Sequence, residues 1–156
     1  MRYIGIDPGV SGGIVQLDSD GDLITFAMPD STKFMFNLIK QLTKGDHFIC
    51  IEKVWAQPNN GSKQAFTFGY NVGQLHLCLE YNDANILFLT PRKWQTYFKL
   101  FGIKGKKPLL DYASERFKEK RYPRLTLKTC DAALLALYAK EYHERRSRER
   151  TLFDKQ

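Results

Sequence analysis

Residues 1–18, MRYIGIDPGVSGGIVQLD, carry the reading of the fold. Tyr3 to Ile6 is a run of strand-forming residues that ends in a carboxylate, Asp7, followed at once by Pro8 and Gly9. Desolvating a carboxylate is costly unless a cation or a set of donors compensates. Asp7 is therefore either a turn residue or a ligand for something positive, and the remainder of the chain has to decide between them.

Working outward, Gly13 to Leu17 and Leu23 to Ala27 read as two further strands joined by the Asp-rich turn DSDGD, so the chain opens as an antiparallel meander. The stretch STKFMFNLIKQLTK then places Phe34, Leu38, Ile39 and Leu42 at helical spacing, with Ser31 or Thr32 as N-cap. HFICIEKVW and NILFLT are continuous apolar runs of strand length, separated by the long helical pattern SKQAFTFGYNVGQLHLCLEYN, and so read as interior strands reached by crossover. RKWQTYF is a short helix. KPLLDYASERFKEK is another, with Pro108 in its first turn. A last helix is expected from about Thr126 to about Arg146. The fold class is α/β, a mixed five-stranded sheet with an antiparallel meander and parallel strands, flanked by helices.

The chain has 156 residues, the size of one domain. It holds 24 Lys and Arg against 17 Asp and Glu, a formal charge of +7. The basic residues concentrate late, in KLFGIKGKK, FKEKRYPR and RRSRER, whereas residues 1–30 hold five Asp and a single Arg. An acidic pocket in a basic molecule suits a metal-dependent enzyme acting on a polyanion. Charge alone suits a merely solvated basic surface equally well. Cys50, Cys78 and Cys130 lie apart in apolar segments, as buried free thiols do, and His47, His76 and His143 show no metal-ligand spacing. No apolar run approaches bilayer length, so no membrane partner is expected.

Glu52 interrupts the fourth strand on the face of Phe48 and Cys50, and Asp131 opens the apolar stretch DAALLALY. With the first and fourth strands adjacent, Asp7 and Glu52 would converge, and a helix over the sheet edge would add Asp131. Three such acids would need cations, and their hard oxygens suit Mg²⁺ or Mn²⁺. Each acid alone reads as well as a turn residue, an ion-pair partner or a helix cap.

GIDPG, then ICIEKVWAQPNNGSKQAFTFGYNVGQL, then DAALLALY resemble, in order and spacing, the corresponding segments of the RuvC family of Holliday junction resolvases, which have the RNase H-like fold. The resemblance implies a homodimer that makes paired nicks in four-way DNA junctions with two Mg²⁺ ions per active site, Mn²⁺ substituting. It implies Asp7, Glu52 and Asp131 as catalytic metal ligands. The family carries a fourth metal-site residue three positions before the last Asp, where this chain has Lys128. A protonated lysine cannot ligate Mg²⁺. Three readings stay open: fewer protein ligands and more water, a Lys128 that serves the scissile phosphate, or a shift that puts Leu134 in the missing acid's place.

For DNA, the resemblance makes Trp55 a base contact, although the residues alone read equally as an aromatic folded onto its own core. Lys104, Lys106 and Lys107 lead into the helix at Pro108, with Lys107 matching a family lysine beside the scissile phosphate, hence a catalytic residue. A second family lysine falls near RKWQ, where the aligned residue is Gln95 and Lys93 is the candidate to substitute for it. Ala65, Gly69, Gly73 and Leu77, at spacing four, form a smooth stripe assigned to the dimer interface, with packing inside the chain as the alternative. Residues 1–146 are expected to form the nuclease domain and 147–156 a basic flexible tail, in a protein of the bacterial cytosol or that of a phage-infected host.

Other readings were a less selective branched-DNA nuclease, a junction-binding protein without catalysis, and a sugar-kinase or actin-like ATPase, whose opening strand GIDPGVSGG also resembles. The last needs two such lobes, and this chain has room for one, so no nucleotide cofactor is expected.

Overall fold

The structure is a computed structural model describing residues 1–55, 61–118 and 124–153. β1 (Arg2–Asp7), β2 (Gly13–Asp18) and β3 (Leu23–Ala27) form the antiparallel meander. The chain then crosses through α1 (Thr32–Leu42) to β4 (His47–Glu52), and through α2 (Ser62–Tyr81) to β5 (Ile86–Leu89), both strands joining in parallel. The strand order is β3-β2-β1-β4-β5, which puts β1 at the centre. As the sequence indicates, Ser31 caps α1, its Oγ accepting from the Phe34 amide at 3.3 Å.

Strand alternation divides the core in two. Ile4, Ile6, Ile49 and Ile51 face one side and pack with Met35 and Ile39 of α1 and Leu75 and Leu79 of α2. Tyr3, Phe48 and Cys50 face the other side, where α5 (Cys130–Phe153) lays Ala132, Ala136 and Ala139 along the sheet. Gly5 belongs to that second face. Its lack of a side chain lets the α5 backbone come down onto β1, because a Cβ there would overlap Ala132 and Ala136. Asp7 continues the series Tyr3, Gly5, and Glu52 continues Phe48, Cys50, so both acids emerge on the α5 side.

The final helix differs from expectation at both ends. It starts at Cys130 because Thr126 to Thr129 close a turn, the Thr126 amide donating to Thr129 Oγ1 at 3.0 Å. It runs past Arg146 to Phe153, because the arginines and glutamates that read as a solvated tail are also good helix formers. Much of the segment expected to be flexible is thus helical; residues 154–156 lie outside the described part. α3 (Pro91–Tyr97) and α4 (Lys106–Arg116) complete the α5 side. No helix among the described residues is long and apolar enough to cross a membrane.

Candidate active site

The parallel register pairs Ile6 with Ile51, so Asp7 and Glu52 occupy the next positions at the carboxyl ends of neighbouring strands. Asp131, in the first turn of α5, comes down beside them. Asp7 and Asp131 are each only 7% exposed. A lysine joins them: Lys106 Nζ lies 3.3 Å from Asp7 Oδ2 and 3.0 Å from Asp131 Oδ2. Asp131 Oδ1 also accepts from the Cys130 thiol at 3.4 Å.

Glu52 is held differently. Its Oε1 accepts the indole N–H of the fully buried Trp94 at 2.8 Å. Burial pushes the Asp7 carboxyl up to about 6, with Lys106 pulling down and Asp131 adding to the rise. Burial likewise pushes Glu52 up to about 7, against the Trp94 hydrogen bond and with the charges of Asp7 and Asp131 behind it. Burial opposes the charge of Lys106, yet its two carboxylates win and hold the ammonium above the ordinary lysine range. Burial, more than the neighbouring charges, sets both carboxyls high, as it does in acid clusters set in clefts.

Among the described residues, no three His, Cys, Asp or Glu side chains converge closely enough to hold a metal ion together. The arrangement nonetheless suits a hard cation at one point. Asp7 and Asp131 already share a positive charge between one oxygen of each, and Glu52 stands within electrostatic reach while bonded to Trp94.

The lysines sort by position. Lys107, read from the sequence as the catalytic lysine, is turned away and pairs with Asp111 one turn along α4, its side chain 72% exposed. Its neighbour Lys106 is the one on the carboxylates, because the helix begins at Lys106 and the first residue of the helix points back to the sheet end. Lys93, Lys104 and Lys128 are exposed. Lys128 stands on the turn before α5, and none of the three acids holds its ammonium. Leu134 is fully buried, so the shifted register that would put it in a ligand position finds no support here.

Trp55 is 53% exposed, three residues beyond Glu52, and is not part of the core. Ala65 is partly buried, but Gly69 and Gly73 face open space, where a Cβ would meet nothing within 4 Å, and Leu77 is exposed. The stripe is therefore not packed inside the chain. Phe66 and Tyr70, 76% and 60% exposed on the same helix, extend it with apolar surface that spacing-four reading did not select.

A groove of about 540 Å³ also escaped the sequence reading. It runs from Pro8, Val10 and Ser11, directly after Asp7, to Lys63, Gln64 and Phe68 of α2. A signal existed: Lys63 is a cation in the first turn of a helix, where the dipole disfavours it unless an anion is nearby.

No family model matches the chain, and no curated protein does either. Solved structures do. The chain is similar to the RuvC structure of Thermus thermophilus, with 16% identity and a TM-score of 0.61, over 93% of this chain and 96% of that one. It is also similar to T. thermophilus RuvC in complex with Holliday junction substrate, with 15% identity and a TM-score of 0.63 over the same shares. The fold is the RNase H-like fold of RuvC. Both neighbours are matched over nearly their whole length.

Proposed function

We propose that this protein is a structure-selective endonuclease that cuts four-way DNA junctions by metal-dependent phosphodiester hydrolysis. The observation that carries the reading is the pairing of Asp7 and Asp131 around one cation position, with Glu52 on the adjacent strand end, in a chain with the RuvC fold. Mg²⁺, or Mn²⁺ in its place, is the cofactor that the Asp7–Asp131 pair suits, with Glu52 within electrostatic reach; two ions per site are what the RuvC resemblance implies. Bound there, such ions would activate a water and stabilise the leaving oxygen.

The chain's own residues do the rest. Trp94 orients Glu52. Val10, Lys63 and Phe68 line a groove that begins directly after Asp7, and Lys63 offers it a cation for phosphate. Trp55, exposed three residues beyond Glu52, offers a stacking surface. Lys93, Lys104, Lys107 and Lys128 add positive charge on exposed surface. The exposed face of α2, with Gly69, Tyr70, Gly73 and Leu77, is the surface we assign to a homodimer, which would carry two such sites for paired nicks. The protein is assigned to the cytosol of a bacterium or of a phage-infected host.

The test is a synthetic four-way junction beside a matched duplex and a flap, incubated with Mg²⁺, Mn²⁺ or EDTA. Metal-dependent paired nicks in the junction are expected. Equal cutting of all three would select a less selective branched-DNA nuclease. A second reading, a junction binder without catalysis, draws on the hydrogen bond that turns Glu52 toward Trp94 and on Lys128 at the fourth-ligand position; mobility shift without cutting would select it.

A further inference from the structure

Lys106 occupies the one point where the two most buried acids meet. It reaches there from the first residue of α4, directly after Gly105, whose φ of +84° is open to glycine and strained for other residues. The loop that delivers it has a second positive-φ glycine, Gly102. Its ammonium touches one oxygen of Asp7 and one of Asp131, yet its side chain remains 47% exposed. A monovalent cation on a flexible four-carbon stem is thus lodged between two carboxylates and can leave toward solvent without any backbone movement.

Two positive charges cannot share that point. Like charges a few ångströms apart in a poorly hydrated site repel strongly, and a divalent ion brings twice the charge of the ammonium to the same oxygens. From this we infer that Lys106 is a built-in competitor that sets the divalent-ion affinity of the Asp7–Asp131 pair: it holds the acids together when metal is scarce and is displaced as the ion enters. This inference rests on the metal site proposed above. Lys106 is a specificity-determining residue here and not itself a ligand. Once displaced, its ammonium lies at the mouth of the site, on the side of α4, with Lys104 and Lys107 on either side of it in sequence.

The experiment is Mn²⁺ titration of the intact protein by calorimetry, without DNA, comparing the wild type with Lys106→Met, Lys106→Gln and Asp7→Asn, each checked for folding by circular dichroism. Both Lys106 variants are expected to bind Mn²⁺ about tenfold more tightly than the wild type, the equivalent of one half-exposed charged hydrogen bond, and Asp7→Asn to lose binding. Equal or weaker Mn²⁺ binding in folded Lys106 variants, with Asp7-dependent binding in the wild type, overturns the competitor role and leaves the metal site standing. Absence of Asp7-dependent binding in the wild type and the variants overturns the metal site itself. A reading free of mutations is amine acetylation followed by mass spectrometry: labelling of Lys106 rises on adding Mn²⁺ if the ion displaces it, and unchanged or reduced labelling overturns the displacement.

Discussion

Gly5 of β1 lies so close to Ala132 of α5 that a Cβ at residue 5 would fall 1.9 Å from the Ala132 carbonyl oxygen and 2.3 Å from the Ala136 amide nitrogen. Both obstacles are backbone, so no rotamer change relieves them. Gly5→Ala is expected to destabilise the protein by about 3 kcal/mol or more, read from urea denaturation. Any variant that still folds does so by moving α5 off the sheet, and Asp131 moves with it. Junction cleavage should then fall further than stability does, and wild-type cleavage in a folded Gly5→Ala protein would show that the helix position does not matter.

The acid cluster makes the metal-free protein sensitive to pH in a defined direction. Asp7 and Glu52 have folded-state values near 6 and 7 against ordinary values of 3.8 and 4.5. The folded state therefore holds these protons more tightly than the unfolded chain does. The stabilisation is complete below about pH 4 and is lost as pH rises through 6 and 7. In EDTA, Asp7→Asn should remove part of that loss, so the variant gains on the wild type by on the order of 2 kcal/mol between acid and neutral pH. Thermal midpoints of the pair across that range measure it; parallel curves would contradict it.

Trp94→Phe tests the arm that holds Glu52. Phenylalanine fills most of the indole's space but donates nothing, leaving a half-buried carboxyl oxygen without its 2.8 Å partner. A loss of about 1–3 kcal/mol in unfolding free energy is expected, together with a fall in cleavage at saturating junction DNA. Retained cleavage would mean that Glu52 takes its working position without the indole.

Trp55 is the converse case, exposed and outside the core. Trp55→Ala should weaken junction binding by about 1–3 kcal/mol while shifting the thermal midpoint little. The reverse order of effects would mean that the ring packs on its own chain.

Gly73→Leu adds a branched side chain where the structure has open space, so the monomer should fold as before. If α2 is the self-association surface, sedimentation will show monomer for the variant and dimer for the wild type. A folded, dimeric variant moves the interface elsewhere.

The sheet was legible because its strands are bounded by clear turn chemistry and because Asp7 and Glu52 continue the buried face of their strands by simple alternation. What the sequence left open was set by helix phase. In GKKP, whether Lys106 or Lys107 points to the sheet depends on which residue begins α4, and a one-residue change of start turns a side chain by about 100°. Trp94 is a core residue, but no pattern in RKWQTYF reveals that its single polar atom meets an acid from a strand 42 positions earlier. The arginines after Arg145 were ambiguous because the same residues suit solvent and helix alike.

The paired acids come from opposite ends of the chain, Asp7 on the first strand and Asp131 on the last helix. During synthesis the meander and β4 can emerge and pair long before α5 exists, presenting Asp7 and Glu52 with neither Asp131 nor Lys106 beside them. The cation position therefore comes into being only when α5 docks on β1. Until that docking, Asp7 and Glu52 stand without the third acid and without the ammonium that bridges Asp7 to Asp131.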